Sequence, residues 1–230
     1  MIIQEKEREL SENLNAGPDT RKGTGNIPWE KVIGVTNRGL CERDFLTQVE
    51  RAASLGLHAL ILREKDLPEE EYKNLAVSVM EICENYGVRC ILHKYVNVAQ
   101  QIGCRFIHFP LADLLNLRKE EAEKQSQNRS ANGKKTSVTD DFVMIGASVH
   151  SAEDARLAVE AGCTYITVGH IFQTDCKKDL TPRGIDFLQN ICKTVSVPVF
   201  GIGGIHPDNM RTVLSAGASG ICMMSEIMHV

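Results

Sequence analysis

Short, uninterrupted apolar runs recur along the chain. They stand at VIGVT (32–36), ALILR (59–63), VRCIL (88–92), FIHF (106–109), FVMIG (142–146), YITVG (165–169), VPVFGIG (197–203) and GICMM (220–224). Between them lie segments whose apolar residues return at helical spacing, such as DFLTQVERAASLG, EEEYKNLAVSVMEICENYG and PDNMRTVLSAG, several of which end in glycine. Continuous rather than alternating apolar runs mean strands covered on both faces, and their alternation with helices predicts a parallel sheet. Eight such runs predict an α/β fold, a (β/α)8 TIM barrel with its active site at the C-terminal ends of the strands. The competing architecture is a doubly wound open sheet. It usually carries GxGxxG after the first strand, and VIGVTNRGL has none. Only SEIMHV follows the eighth run, so the final helix is expected to be truncated.

Two stretches fall outside this rhythm. Residues 1–30 form an N-terminal polar extension, and 31–230 read as a single barrel domain. Within the barrel, 119–141 (KEEAEKQSQNRSANGKKTSVTDD) is charged and poor in hydrophobics, which predicts a flexible surface insertion.

Composition changes the picture little. The 230 residues are 43% hydrophobic, enough for one well-buried core. A net charge of -4 with no basic run argues against nucleic acid or an anionic membrane surface as partner, so an anionic ligand must be held by local groups. No run approaches the ~20 apolar residues of a membrane span, and the start lacks the apolar core of a signal peptide. The eight cysteines are scattered singly without a CxxC, which predicts reduced, mostly buried thiols in a cytoplasmic protein and no metal site.

Candidate chemistry sits just after the runs. In VFGIGGIHPDN (199–209), Gly203 and Gly204 allow close backbone approach, a helix is expected from near Pro207, and Met224–Ser225 ends the last run. Loops after the last two strands form the usual barrel phosphate site, the alternative being a mere tight turn. LREKD places Arg63 and Lys65 after the second run, a cationic pair suited to carboxylate or phosphate, although such charges are commonly just solvated. His93 and Lys94 follow the third run; His108 and Asp113 bracket the fourth, and His108 fits equally well as a core histidine. After the fifth come Ser148 and His150. Ser151 with Asp154 reads as the helix cap, which leaves His150 without a structural task. The sixth run leads to His170 and a long polar loop with Asp175, Cys176, Lys177, Lys178 and Arg183. Cys176, between an aspartate and two lysines, is a site where a lowered thiol pKa is conceivable, but no neighbouring base is established.

In this order, LREKD, SVHS, GHIF with its following TxxK loop, and VFGIGGI resemble the thiamine phosphate synthase/TenI superfamily of phosphate-binding barrels from about Val32 onward. The resemblance implies one of two chemistries. Synthases join a hydroxymethylpyrimidine pyrophosphate to a thiazole phosphate with Mg²⁺, and show QLREK, NDR..D and HLGQ.D. Here Ile61 stands at the glutamine, His93, Lys94 and Asn97 at the Asn, Asp and Asp of the second motif, and HFPLAD keeps only Asp113 of the third. Replacing a carboxylate by an ammonium reverses the charge that a hard cation needs. The stretches SVHSAEDA and GHIFQTDCKKDLTPRG resemble the TenI branch of thiazole tautomerases, so cofactor-free isomerisation of a carboxythiazole phosphate is the expected activity. On that reading His150 is the proton shuttle. Arg63, Lys65, Ser148, His170, Thr174, Cys176, Lys177 and Lys178 would contact the small-molecule thiazole phosphate. Gly203, Gly204, Met224 and Ser225 would hold its phosphate. Synthase activity and a non-catalytic, regulatory phosphate-binding barrel are the alternatives, and the resemblance leaves room for a homodimer.

Overall fold

The computed structural model describes residues 27–127, 137–174 and 178–230. Most of the N-terminal extension, the middle of the 119–141 stretch, and Asp175, Cys176 and Lys177 lie outside the described residues.

Eight parallel strands close into a barrel in chain order. They are β1 (Val32–Val35), β2 (Ala59–Leu62), β3 (Arg89–His93), β4 (Phe106–Pro110), β5 (Met144–Val149), β6 (Tyr165–Gly169), β7 (Val199–Ile202) and β8 (Gly220–Met223). Closure is direct: Val32, Ile33 and Gly34 of β1 pair with Ile221, Cys222 and Met223 of β8. The open-sheet alternative is thereby excluded. The described helices are α1 (Phe45–Ser54), α2 (Glu69–Asn85), α3 (Val96–Gln101), α4 (Leu111–Gln127), α5 (Ala152–Glu160), α6 (Gly184–Thr194), α7 (Met210–Ser215) and α8 (Ser225–His229).

Strand side chains alternate between faces, so each strand contributes to two cores. Outward residues pack under the helices in a large cluster that includes Leu60, Leu62, Leu92, Ile107 and Ile166. Inward residues Ile33, Val35, Ala59, Ile61, Ile91, Tyr165, Phe200 and Cys222 fill the barrel, with Phe106, Met144, Ile202 and Met224 against them. Two-residue steps from this inner set lead to Arg63, His93, His108, Ser148 and Thr167. One periodicity therefore fills the barrel with apolar groups and brings polar ones to its mouth.

Two local expectations change. β5 begins at Met144, not Phe142, and runs to Val149, so Ser148 lies inside the strand. The reason is a 3-10 turn at Val138–Asp141, capped by Ser137, which the Phe142 amide closes by donating to the Thr139 carbonyl. Second, α4 continues through 119–127, into the stretch expected to be an insertion. Arg118 on α4 donates to the Ala161 carbonyl (2.8 Å) and to Ser137 and Thr139, while Glu121 accepts from the Val138 amide (2.7 Å). The final helix is short, as expected, and α8 still closes the helical ring beside α1. Its Ile227 and Met228 are fully buried, and the Gln48 amide donates to the Ile227 carbonyl at 2.7 Å.

A cavity of about 330 Å³ opens at the foot of the barrel, between Lys31, His58, Tyr165, Phe200 and Ser219. The chemically capable residues gather at the other end.

Candidate active site

At the ends of β1, β2 and β3 the backbone is set by side-chain hydroxyls. The last β2–β3 rung is Leu62↔Leu92. Beyond it, the buried Tyr72 hydroxyl from α2 accepts from the His93 amide (2.9 Å) and donates to the Leu62 carbonyl (2.7 Å). Thr36, after β1, accepts from the Arg63 amide (2.9 Å) and donates to Glu64 Oε1 (2.6 Å). Glu64 is only 3% exposed and also accepts from the Arg38 amide and Nε, at 3.1 and 3.3 Å. Arg38 Nη2 reaches on to Asp66 (2.7 Å). The two carboxylates of LREKD therefore turn toward β1, away from β3.

His93 and His108 are neighbours on β3 and β4, with ring centroids 6.3 Å apart. Burial lowers the His93 pKa to about 3, helped by Arg63, Lys65 and Lys94. Burial, then His93 and Arg63, lowers that of His108 to about 3. Both imidazoles are neutral at physiological pH. His108 bridges two hydroxyls, with Nδ1 2.9 Å from the Tyr165 hydroxyl and Nε2 2.9 Å from Ser148 Oγ, which also accepts from Thr167 (3.1 Å). Gly146 is a spatial requirement of this bridge: a Cβ there would lie 2.2 Å from Tyr165 Cζ and 2.4 Å from His108 Nδ1.

His150 is exposed at the mouth. Its amide donates to Asp154 Oδ2 (2.8 Å), while Ser151 caps α5 through the Asp154 amide (2.9 Å). Its Nδ1 lies 2.9 Å from the Gly169 carbonyl, which can only accept, so Nδ1 carries the hydrogen and Nε2 is left for a ligand.

The β6 and β7 loops interlock. Phe172 donates its amide to the Gly203 carbonyl (3.0 Å), and Asn209 Nδ2 donates to the Gly204 carbonyl (2.8 Å). Gly203 and Gly204 have φ of 100° and 63°, and a Cβ on Gly204 would lie 2.2 Å from the Gln173 carbonyl oxygen. α7 starts at Met210, later than the expected start near Pro207, because a turn at His206–Asn209 precedes it, with the His206 amide on Asn209 Oδ1 (2.8 Å). His206 Nδ1 meets Glu226 of α8 at 2.8 Å, joining the β7 loop to the β8 end, where Met224 is half-buried and Ser225 exposed. His170 is buried under this region, with Nε2 3.2 Å from the Leu180 carbonyl. Thr174 is half-buried and Lys178 exposed, and the Lys178 carbonyl accepts from Gln173 Nε2 (3.0 Å).

The family model described as thiamine monophosphate synthase matches residues 32–227, the whole barrel. The chain belongs to the thiamine phosphate synthase/TenI family. It is 31% identical over 204 residues to the thiamine-phosphate synthase of Clostridium botulinum (strain 657 / Type Ba4), covering 88% of this chain and 91% of that one. With the thiamine-phosphate synthase of Alkaliphilus oremlandii it shares 31% over 186 residues, 81% of each chain. Among solved structures it resembles thiamine phosphate pyrophosphorylase from Pyrococcus furiosus, with a TM-score of 0.68 and 26% identity over 87% of this chain and 88% of that one.

These relatives correct the expected activity. The thiazole tautomerase reading rested on a few short stretches and on departures at 61, 93, 94 and 97 and in HFPLAD (108–113). Similarity at about 30% identity across most of the chain is to proteins named for the synthase.

The Mg²⁺ that the synthase resemblance implies does not fit the residues in its motif positions. His93 is buried and neutral, Lys94 is cationic, and Asn97 and Asp113 are exposed. Among the described residues no three His, Cys, Asp or Glu side chains gather as a metal-holding group.

Sequence reasoning passed over Tyr72, Thr36 and Arg38, which shape the β1–β3 corner, and Tyr165 behind His108. Of these only Arg38, in TNRGL just past the first strand, carried a chemical signal.

Proposed function

We propose that this family member carries out the synthase reaction, joining a hydroxymethylpyrimidine diphosphate to a thiazole phosphate. One observation supports the reading beyond the similarity. The mouth has two regions suited to anions, the β2–β3 corner with Arg63 and Lys65 and the loops after β7 and β8 with Gly203 and Gly204, well separated in the closed strand order. A reaction between two phosphate esters needs two such regions, whereas one monophosphate needs one.

In the coupling, the bond between the pyrimidine methylene carbon and the diphosphate oxygen breaks, and its electron pair leaves with pyrophosphate. The thiazole nitrogen lone pair forms the new C–N bond. Arg63 and Lys65 stabilise charge as it builds on the departing diphosphate. Gly203, Gly204, Met224 and Ser225 hold the thiazole phosphate by backbone approach, which fixes the nitrogen for attack. Neither bond change moves a proton at the reacting atoms. His150 Nε2 and Ser148 Oγ accordingly serve as hydrogen-bonding contacts to the rings, with His108 holding Ser148.

The test supplies the full chain with both substrates and measures thiamine phosphate and released pyrophosphate, once with Mg²⁺ and once with EDTA. Formation of both products supports the reading. No product in either condition overturns it.

A further inference from the structure

The cavity of about 330 Å³ at the foot of the barrel takes no part in the chemistry of the mouth. Its lining stands at strand beginnings: Lys31 precedes β1, His58 precedes β2 and Ser219 precedes β8, while Tyr165 opens β6 and Phe200 is second in β7. Gly203 and His150, by contrast, follow the far ends of their strands.

The inner wall of this cavity is aromatic. The rings of His58 and Phe200 lie 5.7 Å apart at 35°, and Tyr165 meets Phe200 edge-on at 5.8 Å and 85°. Met144 adds a polarisable thioether beside them. Room remains because β8 is entered through two small residues, Ser219 and Gly220. A Cβ on Gly220 would lie 2.6 Å from Phe200 Cε1 and 2.3 Å from the Lys31 carbonyl oxygen.

The rim carries both signs of charge and so favours neither. Glu30 and Lys31 are adjacent and offset one another. Burial, then Arg89, lowers the His58 pKa from 6.5, which leaves a neutral imidazole at physiological pH. Thr164 is fixed by its hydroxyl on the Ile145 amide (3.0 Å), and Ser219 places a second hydroxyl-bearing side chain at the opening. Aromatic walls under a polar, charge-balanced rim match a flat, uncharged ring with polar atoms along one edge.

We propose that the foot cavity is a second binding site, for a neutral heteroaromatic molecule of one or two fused rings packed against His58, Phe200 and Tyr165. The site does not depend on the reaction proposed for the mouth.

Trp29 supplies the test. It is the chain's single tryptophan, directly precedes Glu30 and Lys31, and accepts at its carbonyl from the His58 amide at 3.1 Å. The experiment titrates the full chain at neutral pH with benzimidazole and, separately, with benzoate, a flat ring that carries a negative charge. Trp29 emission is excited where neither probe absorbs, and calorimetry is run in parallel. Benzimidazole should bind saturably with a Kd of about 0.1–1 mM, and benzoate at least about tenfold more weakly. Ser219→Tyr fills the opening from an exposed position and should weaken benzimidazole about tenfold or more. His58→Ala removes one ring and should weaken it about 2- to 10-fold. Thermal melts followed by circular dichroism establish that both variants are folded. No saturable binding of benzimidazole overturns the site, as does a folded Ser219→Tyr that binds like the native chain, which would place the probe elsewhere. Benzoate bound as tightly as benzimidazole overturns the assignment to a neutral ligand.

Discussion

The two anion-suited regions of the barrel mouth are built on opposite principles. After β7 and β8 the design is steric: Gly203 and Gly204 at positive φ, interlocked with the β6 loop, let backbone approach a ligand, and His206 with Glu226 ties the β7 loop to the β8 end. After β2 and β3 the design is electrostatic. Buried hydroxyls of Tyr72 and Thr36 fix the strand ends, a buried glutamate is matched by Arg38, and Arg63, Lys65 and Lys94 stand close enough to His93 to help lower its pKa. A shape-based site tolerates little change of backbone but much change of ionic strength. A charge-based site does the reverse.

The largest expected effect separates them by acid. His93 and His108 have pKa values lowered from 6.5 to about 3, so below pH 6.5 the unfolded chain takes up protons that the folded chain refuses. Their contribution to stability is complete above pH 6.5 and is lost as pH falls toward 3, at up to about 1.4 kcal/mol per pH unit for each imidazole. Urea unfolding between pH 6 and 4 checks this. Replacing His108 by Gln should reduce the slope by nearly one proton, and an unchanged slope would mean that His108 is not the neutral buried group described here.

Next comes Gly204→Ala. Its φ of 63° and the 2.2 Å approach of the Gln173 oxygen leave no place for a methyl group. The loop must shift, with about 1–3 kcal/mol lost in stability and roughly a hundredfold in kcat/KM for coupling, read by thermal melts and product formation. Pyrophosphate binding at the other region should barely change. If both fall together, the two regions are not independent.

Ionic strength gives a smaller effect of the opposite kind. Raising salt from low to high concentration should weaken pyrophosphate binding several-fold more than binding of a thiazole phosphate, because screening acts on the charged corner. Equal salt dependence would erase the contrast. The smallest change is expected at His150. Since the coupling moves no proton at the reacting atoms, His150→Gln should lower kcat/KM by about tenfold or less. A loss in the range of 10²–10⁴, typical of general acid–base catalysis, would restore a proton-transfer role.

The periodicity of the apolar runs was sufficient to specify the barrel and, through its inward and outward alternation, the residues that reach the mouth. The glycines in VFGIGGI were legible for the same reason: at Gly203 and Gly204 a positive φ leaves little other choice of residue. Motif comparison at His93, Lys94 and Asn97 showed that the charge of one corner is reversed, yet weighed that reversal as a change of reaction. The similarity extending over the whole barrel contradicts that weighting.

What the sequence by itself determined was the alternation of elements and the chemical identity of each strand end, because both follow from local periodicity. Only the tertiary structure decided which groups are partners. Glu64 directly precedes Lys65 in the chain but is bonded to Thr36 and Arg38. Tyr72 leaves its helix to join β2 to β3, and His108 is made neutral by burial against Tyr165 and Ser148. Those pairings depend on barrel closure, which sets residues from distant segments within hydrogen-bonding reach, and on burial, which decides whether a titratable group keeps its charge.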